Sequence, residues 1–283
     1  MDIYVNGELE SPAAGKSSVG ELLSDIDGRL ESAGRIIVAI AVDGREIAPE
    51  EIPSLGAKGL DEPGRIDIGF ESSRGMKAKA LRTLLEYLDA LAAAGPDSLD
   101  ALREGLRGYR GGFSGLHGAE EESFLAALAD DLEAGLQPAQ ATAAKLRSVF
   151  ADRLAELDDP VESMRATERF FASLKPELME VPVRMQTGRD AEAIKTMMVA
   201  VELMNKTVRI LPGFFEEATG GTPIRIGERG WSEYFAEFND MLRELAGAFE
   251  SKDGILIGDL AEYEIVPRLE ALFGAALGAL EPR

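Results

Sequence analysis

The alternation of apolar and polar positions changes character near residue 73. Before it, apolar residues fall in short runs separated by turn signals. Ile3-Tyr4-Val5 leads into Asn6-Gly7 and then Glu8-Leu9. This predicts a hairpin, because a type I′ turn needs positive φ at both central residues. Val19, Leu22, Leu23, Ile26 and Leu30 recur every three or four positions. They mark one face of a helix over 19–33, with Ser18 as its N-cap and Gly34 ending it. Residues 35–42 form a near-continuous β-branched run suited to a central strand, and Asp43-Gly44 turns the chain into Arg45-Glu46-Ile47. After a loop holding Pro49, Pro53 and Pro63, residues 65–70 alternate as a closing strand. The predicted order is β-β-α-β-β-loop-β.

From Met76 onward the period is helical. Leu81, Leu84, Leu85, Leu88 and Leu91 form a stripe that stops at Gly95-Pro96, after which Asp97 can cap a helix carrying Leu99, Leu102 and Leu106. The stretch 105–118 (GLRGYRGGFSGLHG) holds six glycines in fourteen residues and is expected to be a loop. Helices are predicted over 120–135, 139–157 and 160–186, the last bent or broken at Pro176 and Pro182. Gly188-Arg189-Asp190 is read as a junction into a helix over 191–211. There Ile194, Met197, Met198, Val201, Met204, Val208 and Leu211 share a face. A Gly/Pro-rich loop over 212–230 precedes helices over 231–251 and 255–277, the second kinked at Pro267.

The order of the first 73 residues, with its Asn-Gly turn and Val19-Gly20-Glu21-Leu22-Leu23 helix start, resembles the ubiquitin-like β-grasp fold. It is most similar to the sulfur-carrier proteins of thiamine and molybdopterin synthesis. Those carriers end in a free Gly-Gly that is adenylated, whereas Ser72-Ser73-Arg74-Gly75 here runs on into a helix. The resemblance therefore implies the fold and not the carrier chemistry. The expected architecture is α+β: a small N-terminal β-grasp domain over 1–73, then a larger all-α antiparallel helical bundle domain over 74–283, resembling uncharacterised bacterial helical proteins.

Charge narrows the functions. The 283 residues carry 51 acidic and 30 basic side chains, a formal charge of −21. That repels phosphate backbones and anionic lipid, so no nucleic-acid partner is expected. With no cysteine and the single histidine His117, there is no thiol nucleophile, zinc finger or His-rich metal site to build. The start MDIYVNGELE lacks a basic and then apolar leader, and no apolar run is long enough to span a bilayer. A cytoplasmic protein without membrane insertion is expected.

Few motifs offer chemistry. Ala14-Gly15-Lys16-Ser17 is half of a phosphate loop, but Glu10 stands where the first glycine belongs, so it reads as a turn. His117 beside Glu120, Glu121 and Glu122 could act as a base or ligand, yet its glycine-rich setting reads as a solvent-exposed histidine. Asp259 and Glu262 share a helix face and are the weak candidate for Mg²⁺. In the simpler reading they face water while Leu256, Leu260, Tyr263 and Leu269 pack. Trp231, Tyr234, Phe235 and Phe238 form an aromatic stripe that is either bundle core, the favoured reading, or a docking face for a partner.

No nucleophile constellation or cofactor fingerprint emerges, so neither catalytic residues nor a cofactor are assigned. The expectation is a non-enzymatic protein-interaction module, an acidic bacterial adaptor or chaperone-like protein that binds another protein. A sheet edge would accept a strand, or helical grooves a helix. The alternative is a carboxylate- and Mg²⁺-dependent enzyme with its site between helices of the C-terminal domain.

Overall fold

The computed structural model describes residues 2–10, 16–32 and 34–280, with only the backbone of Ser32. The fold is α+β, a small N-terminal mixed sheet followed by a larger helical region. β1 (Asp2–Val5) and β2 (Glu8–Glu10) form the first hairpin. Asn6 and Gly7 take φ of 47° and 84° and Asp43 and Gly44 take 51° and 82°, so both turns adopt the positive-φ geometry that their sequences signal. Asn6 also ties its turn to the sheet, donating through Nδ2 to the Phe70 carbonyl and accepting from the Phe70 N–H.

The remaining strands are β3 (Arg35–Val42), β4 (Arg45–Glu46) and β5 (Arg65–Ser72), in the order β2-β1-β5-β3-β4. β1 and β5 pair in parallel and the other neighbours are antiparallel. β3, expected as a central strand, lies inside the sheet between β5 and β4, and β5 takes the middle position. Local β-branching sets the strand but not its place, which depends on long-range pairing. Helix α1 (Val19–Ser32) crosses one face, where Val19, Leu22, Leu23, Ile26 and Leu30 bury against Ile3, Ile40, Ile66 and Ile68. Ser18 Oγ accepts from the Glu21 N–H, as a cap should. At Gly20 a Cβ would sit 2.8 Å from the carbonyl oxygen of Gly56, so the short helix α2 (Ile52–Gly56) can approach α1 only over glycine. Of the half phosphate loop, Ala14 and Gly15 lie outside the described residues, and Lys16 pairs with Asp25 at 2.9 Å.

Strand β5 passes directly into α3 (Ser73–Ala93), capped by Ser72 Oγ on the Gly75 N–H. Then follow α4 (Leu99–Gly112), α5 (Ala119–Ala134) and α6 (Leu136–Asp158). The chain divides into two compact units, Met1–Ala151 and Asp152–Arg283, with the division inside α6. The expected boundary near residue 73 thus falls within the first unit. The loop expected over 105–118 is also shorter, because α4 continues to Gly112. Leu102, Leu106 and Tyr109 bury on one face of it while Gly108, Gly111 and Gly112 have open space beside them. That apolar face outweighs the glycine penalty of about 1 kcal/mol per residue.

The second unit contains α7 (Pro160–Met179), α8 (Val181–Gln186), α9 (Asp190–Thr219), a two-residue hairpin β6 (Arg225–Ile226) and β7 (Arg229–Gly230), then α10 (Trp231–Ser251), α11 (Gly254–Asp259) and α12 (Val266–Gly278). It is therefore helical with one small hairpin. Pro176 sits inside α7 and Pro212 inside α9. Neither breaks its helix, and the loop expected from 212 begins at Gly220, where φ turns to 61°. Phe214 and Phe215 are buried just beyond Pro212 and hold the turn that a proline alone would release. The kink expected at Pro267 is taken up by a π-helical turn over Leu260–Ile265, a register shift that accommodates the proline's missing donor.

Candidate interaction surface

The aromatic stripe faces inward. Tyr234 and Phe238 are buried in the core of the second unit, and Trp231 and Phe235 are half-buried. Trp231 stacks on Phe235 with ring centres 5.4 Å apart and meets the edge of Phe215 at 5.5 Å. The methionine face of α9 divides: Met197 and Met204 are buried, while Met198 and Ile194 are exposed. On the last segment Asp259 is exposed and Glu262 half-buried. Tyr263, expected to pack, is 63% exposed because the π-helical turn rotates it outward. Among the described residues no group of three His, Cys, Asp or Glu is placed to hold a metal ion.

His117 is the largest departure from expectation. Its side chain is 1% exposed. Nε2 lies 2.7 Å from the Tyr109 hydroxyl and Nδ1 lies 3.6 Å from Glu121 Oε2. A carboxylate on one side and a hydroxyl on the other favour the tautomer with its proton on Nδ1. Glu121, also buried, accepts from the Gly118 N–H at 3.0 Å and pairs with Lys77 of α3 at 3.0 Å. Burial alone would raise the Glu121 carboxyl. His117, the Gly118 N–H and Lys77 overcome it and hold the carboxyl down at about 2. A carboxylate–imidazole–hydroxyl order activates nucleophiles in enzymes, but there the hydroxyl opens on a substrate, whereas Tyr109 is 6% exposed. Here the cluster pins the turn between α4 and α5. Glu121, three residues after Gly118, is a capping-box position, the one sequence signal that could have found it.

The second unit buries a different carboxylate. Glu156 on α6 receives Nε and Nη2 of Arg209 at 3.1 and 3.3 Å, with Arg153 at 3.7 Å and Lys206 at 3.8 Å. Burial pushes it up, to about 7, against the pull of Arg153 and Lys206 and with added repulsion from Asp152 and Glu202. Residue 209 stands 53 positions from 156, so no sequence pattern joins them.

The exposed surface that stands out lies on the sheet. The face away from α1 carries Tyr4, Leu9, Ala39, Ala41 and Gly69, with Arg65 over the Tyr4 ring and paired to Asp67 at 2.6 Å. Leu9 is 66% exposed, Val38 42% and Ile36 37%. β4 pairs only with Ala41 and Val42. The outer edge of β3 over 35–39 therefore has no neighbouring strand among the described residues, and a register shift between Ile37 and Ala39 bends it. Such an edge offers unpaired backbone donors and acceptors to another chain.

With this geometry in view, two family models match parts of the chain. Residues 1–71 match the model described as TP0873 N-terminal domain, which covers the sheet and α1. Residues 162–274 match a domain of unknown function (DUF8042), which lies within the second unit. No curated protein and no solved structure matches the chain. Among the described residues no helix is long and apolar enough to cross a membrane.

Proposed function

We propose that this chain is a non-enzymatic protein-interaction module, an acidic cytoplasmic adaptor or chaperone-like protein that takes an extended segment of another protein along β3. The sheet order, with its parallel β1–β5 pair and one crossing helix, supports reading the first 73 residues as a β-grasp domain. The observation that carries the proposal is the exposure of Ile36 and Val38 at the open edge of β3. Main-chain pairing supplies affinity in such strand addition, and alternate side chains supply selectivity. Ala39 and Gly69 beside Val38 put no bulky side chain in the way of an incoming apolar residue.

Capture from the source cell's extract tests this. The wild-type chain should retain one protein at near-stoichiometric yield, and Val38→Asp should lose it while melting at the same temperature. A variant that keeps the protein would overturn the proposal.

A further inference from the structure

The second unit carries an exposed apolar face of its own, where α8 meets α11. At Gly258 a Cβ would sit 2.9 Å from Pro182 Cα, and at Gly254 a Cβ would sit 2.9 Å from the Met185 side chain. The two helices therefore touch along a glycine seam, and the pairing of 182 with 258 and of 185 with 254 makes them antiparallel. Residues two apart on a helix point to nearly opposite sides. Val181 and Ile257 bury on one side of the seam, while Val183, 53% exposed, and Ile255, 71% exposed, stand on the other. Past Gly258 the π-helical turn brings out Tyr263, and before Pro182 the exposed Met179 ends α7. Acids gather at this face. The Glu262 carboxylate accepts from the Tyr263 hydroxyl and, with Asp259, holds it above the usual tyrosine range. Neither acid makes an ion pair among the described residues. α11 and the π-helical turn contain no basic residue. The one on α8, Arg184, is largely buried against Glu177 and Glu180 at 3.4 and 2.9 Å.

We infer that this face docks an amphipathic helix of another protein, its apolar stripe on Val183, Ile255 and Tyr263 and its flanking lysines or arginines on Asp259 and Glu262. The surface is separate from β3 and stands without it. A helix fits here better than a strand, because paired helices leave no backbone donors or acceptors free along their length. From residue 255 to residue 263 is about 12 Å of helix rise. That is two turns, the reach of an i, i+3 or i+4, i+7 stripe. Charge sets the polar flank of the partner: carboxylates without basic neighbours attract a cationic helix. A second copy of this chain, with its charge of −21, would bring acid to acid.

Fluorescence anisotropy on the full chain tests this with two labelled helical peptides that share one leucine stripe, one flanked by lysines and one by glutamates. The lysine peptide should saturate at one per chain, and the glutamate peptide should not bind. Ile255→Ser, at an exposed position, should weaken the lysine peptide about tenfold or more without moving the melting temperature. Asp259→Asn with Glu262→Gln should weaken it about tenfold, as the loss of two rim ion pairs does. Val38→Asp should leave it unchanged, which separates this face from β3. Absence of saturable binding, equal binding of the two peptides, or a loss in Val38→Asp would overturn the inference. Full binding by Ile255→Ser would reduce the effect to net charge, and a wild-type dimer that Ile255→Ser dissolves would place a second copy on this face; either result overturns it as well.

Discussion

Two regions of the first unit invert the usual placement of side chains, in opposite senses. Around His117 polar and charged groups are buried; along β3 apolar groups face water. The buried set is closed for the most part: Glu121 meets Lys77 and the Gly118 N–H, His117 Nε2 meets Tyr109, and His117 Nδ1 lies 3.6 Å from Glu121 without a hydrogen bond. A buried polar group costs little only when it is paired, so the contacts of Glu121 and of His117 Nε2 hold this turn in place from within the unit. Ile36 and Val38 have no such closure within the unit. An exposed apolar edge is a liability for a lone protein and gains a purpose when a partner covers it. The difference separates a device for stability from a device for binding.

The sharpest break in that contrast comes from removing Glu121. Glu121→Ala leaves Lys77 and His117 without their carboxylate, and breaking a buried pair in this way costs about 3–5 kcal/mol. Urea denaturation should show that loss; a change within 0.5 kcal/mol would mean the cluster does not hold the fold.

Acid titration comes next in size. The Glu121 carboxyl lies below its unfolded value of 4.5, at about 2, so the fold binds this proton less readily than the unfolded chain does. Its contribution is complete above pH 4.5 and is lost as pH falls toward 2, a span worth about 3 kcal/mol. Glu156 has the opposite sign: raised to about 7, it favours folding below pH 4.5 and loses that contribution as pH rises through 7. Stability measured against pH should therefore fall below 4.5 in the wild type, and Glu121→Gln should flatten that limb.

A smaller loss should follow His117→Gln, which disturbs the imidazole between Tyr109 and Glu121; an unsatisfied buried partner costs about 1–3 kcal/mol. The smallest effect on stability should come from Val38→Asp, within about 0.5 kcal/mol, as for surface positions generally. If Val38→Asp unfolds the protein while His117→Gln does not, the two regions have exchanged roles.

How much of this was legible in the sequence varied with the range of the interactions involved. The turns at Asn6-Gly7 and Asp43-Gly44, the α1 stripe and the helix over 231–251 are written in local spacing, and the structure has them at those positions. Where neighbours distant in sequence decide, local reading failed. Buried Phe214 and Phe215 carry α9 past Pro212, and Leu106 and Tyr109 carry α4 through its glycines. His117 reads as exposed from sequence because its glycine-rich surroundings are local, whereas Lys77, which pairs with Glu121, stands forty positions earlier. The open edge of β3 was hidden for the same reason: nothing local says that β4 stops after two residues.

The central claim is that β3 is where another protein binds. A photoreactive benzoylphenylalanine placed at position 38, with a second chain carrying it at the exposed Met198 of α9, can be illuminated in the intact source cell. The account predicts one discrete protein adduct from position 38 and none of the same mass from position 198. Adducts from 198 alone, with position 38 silent, would contradict it.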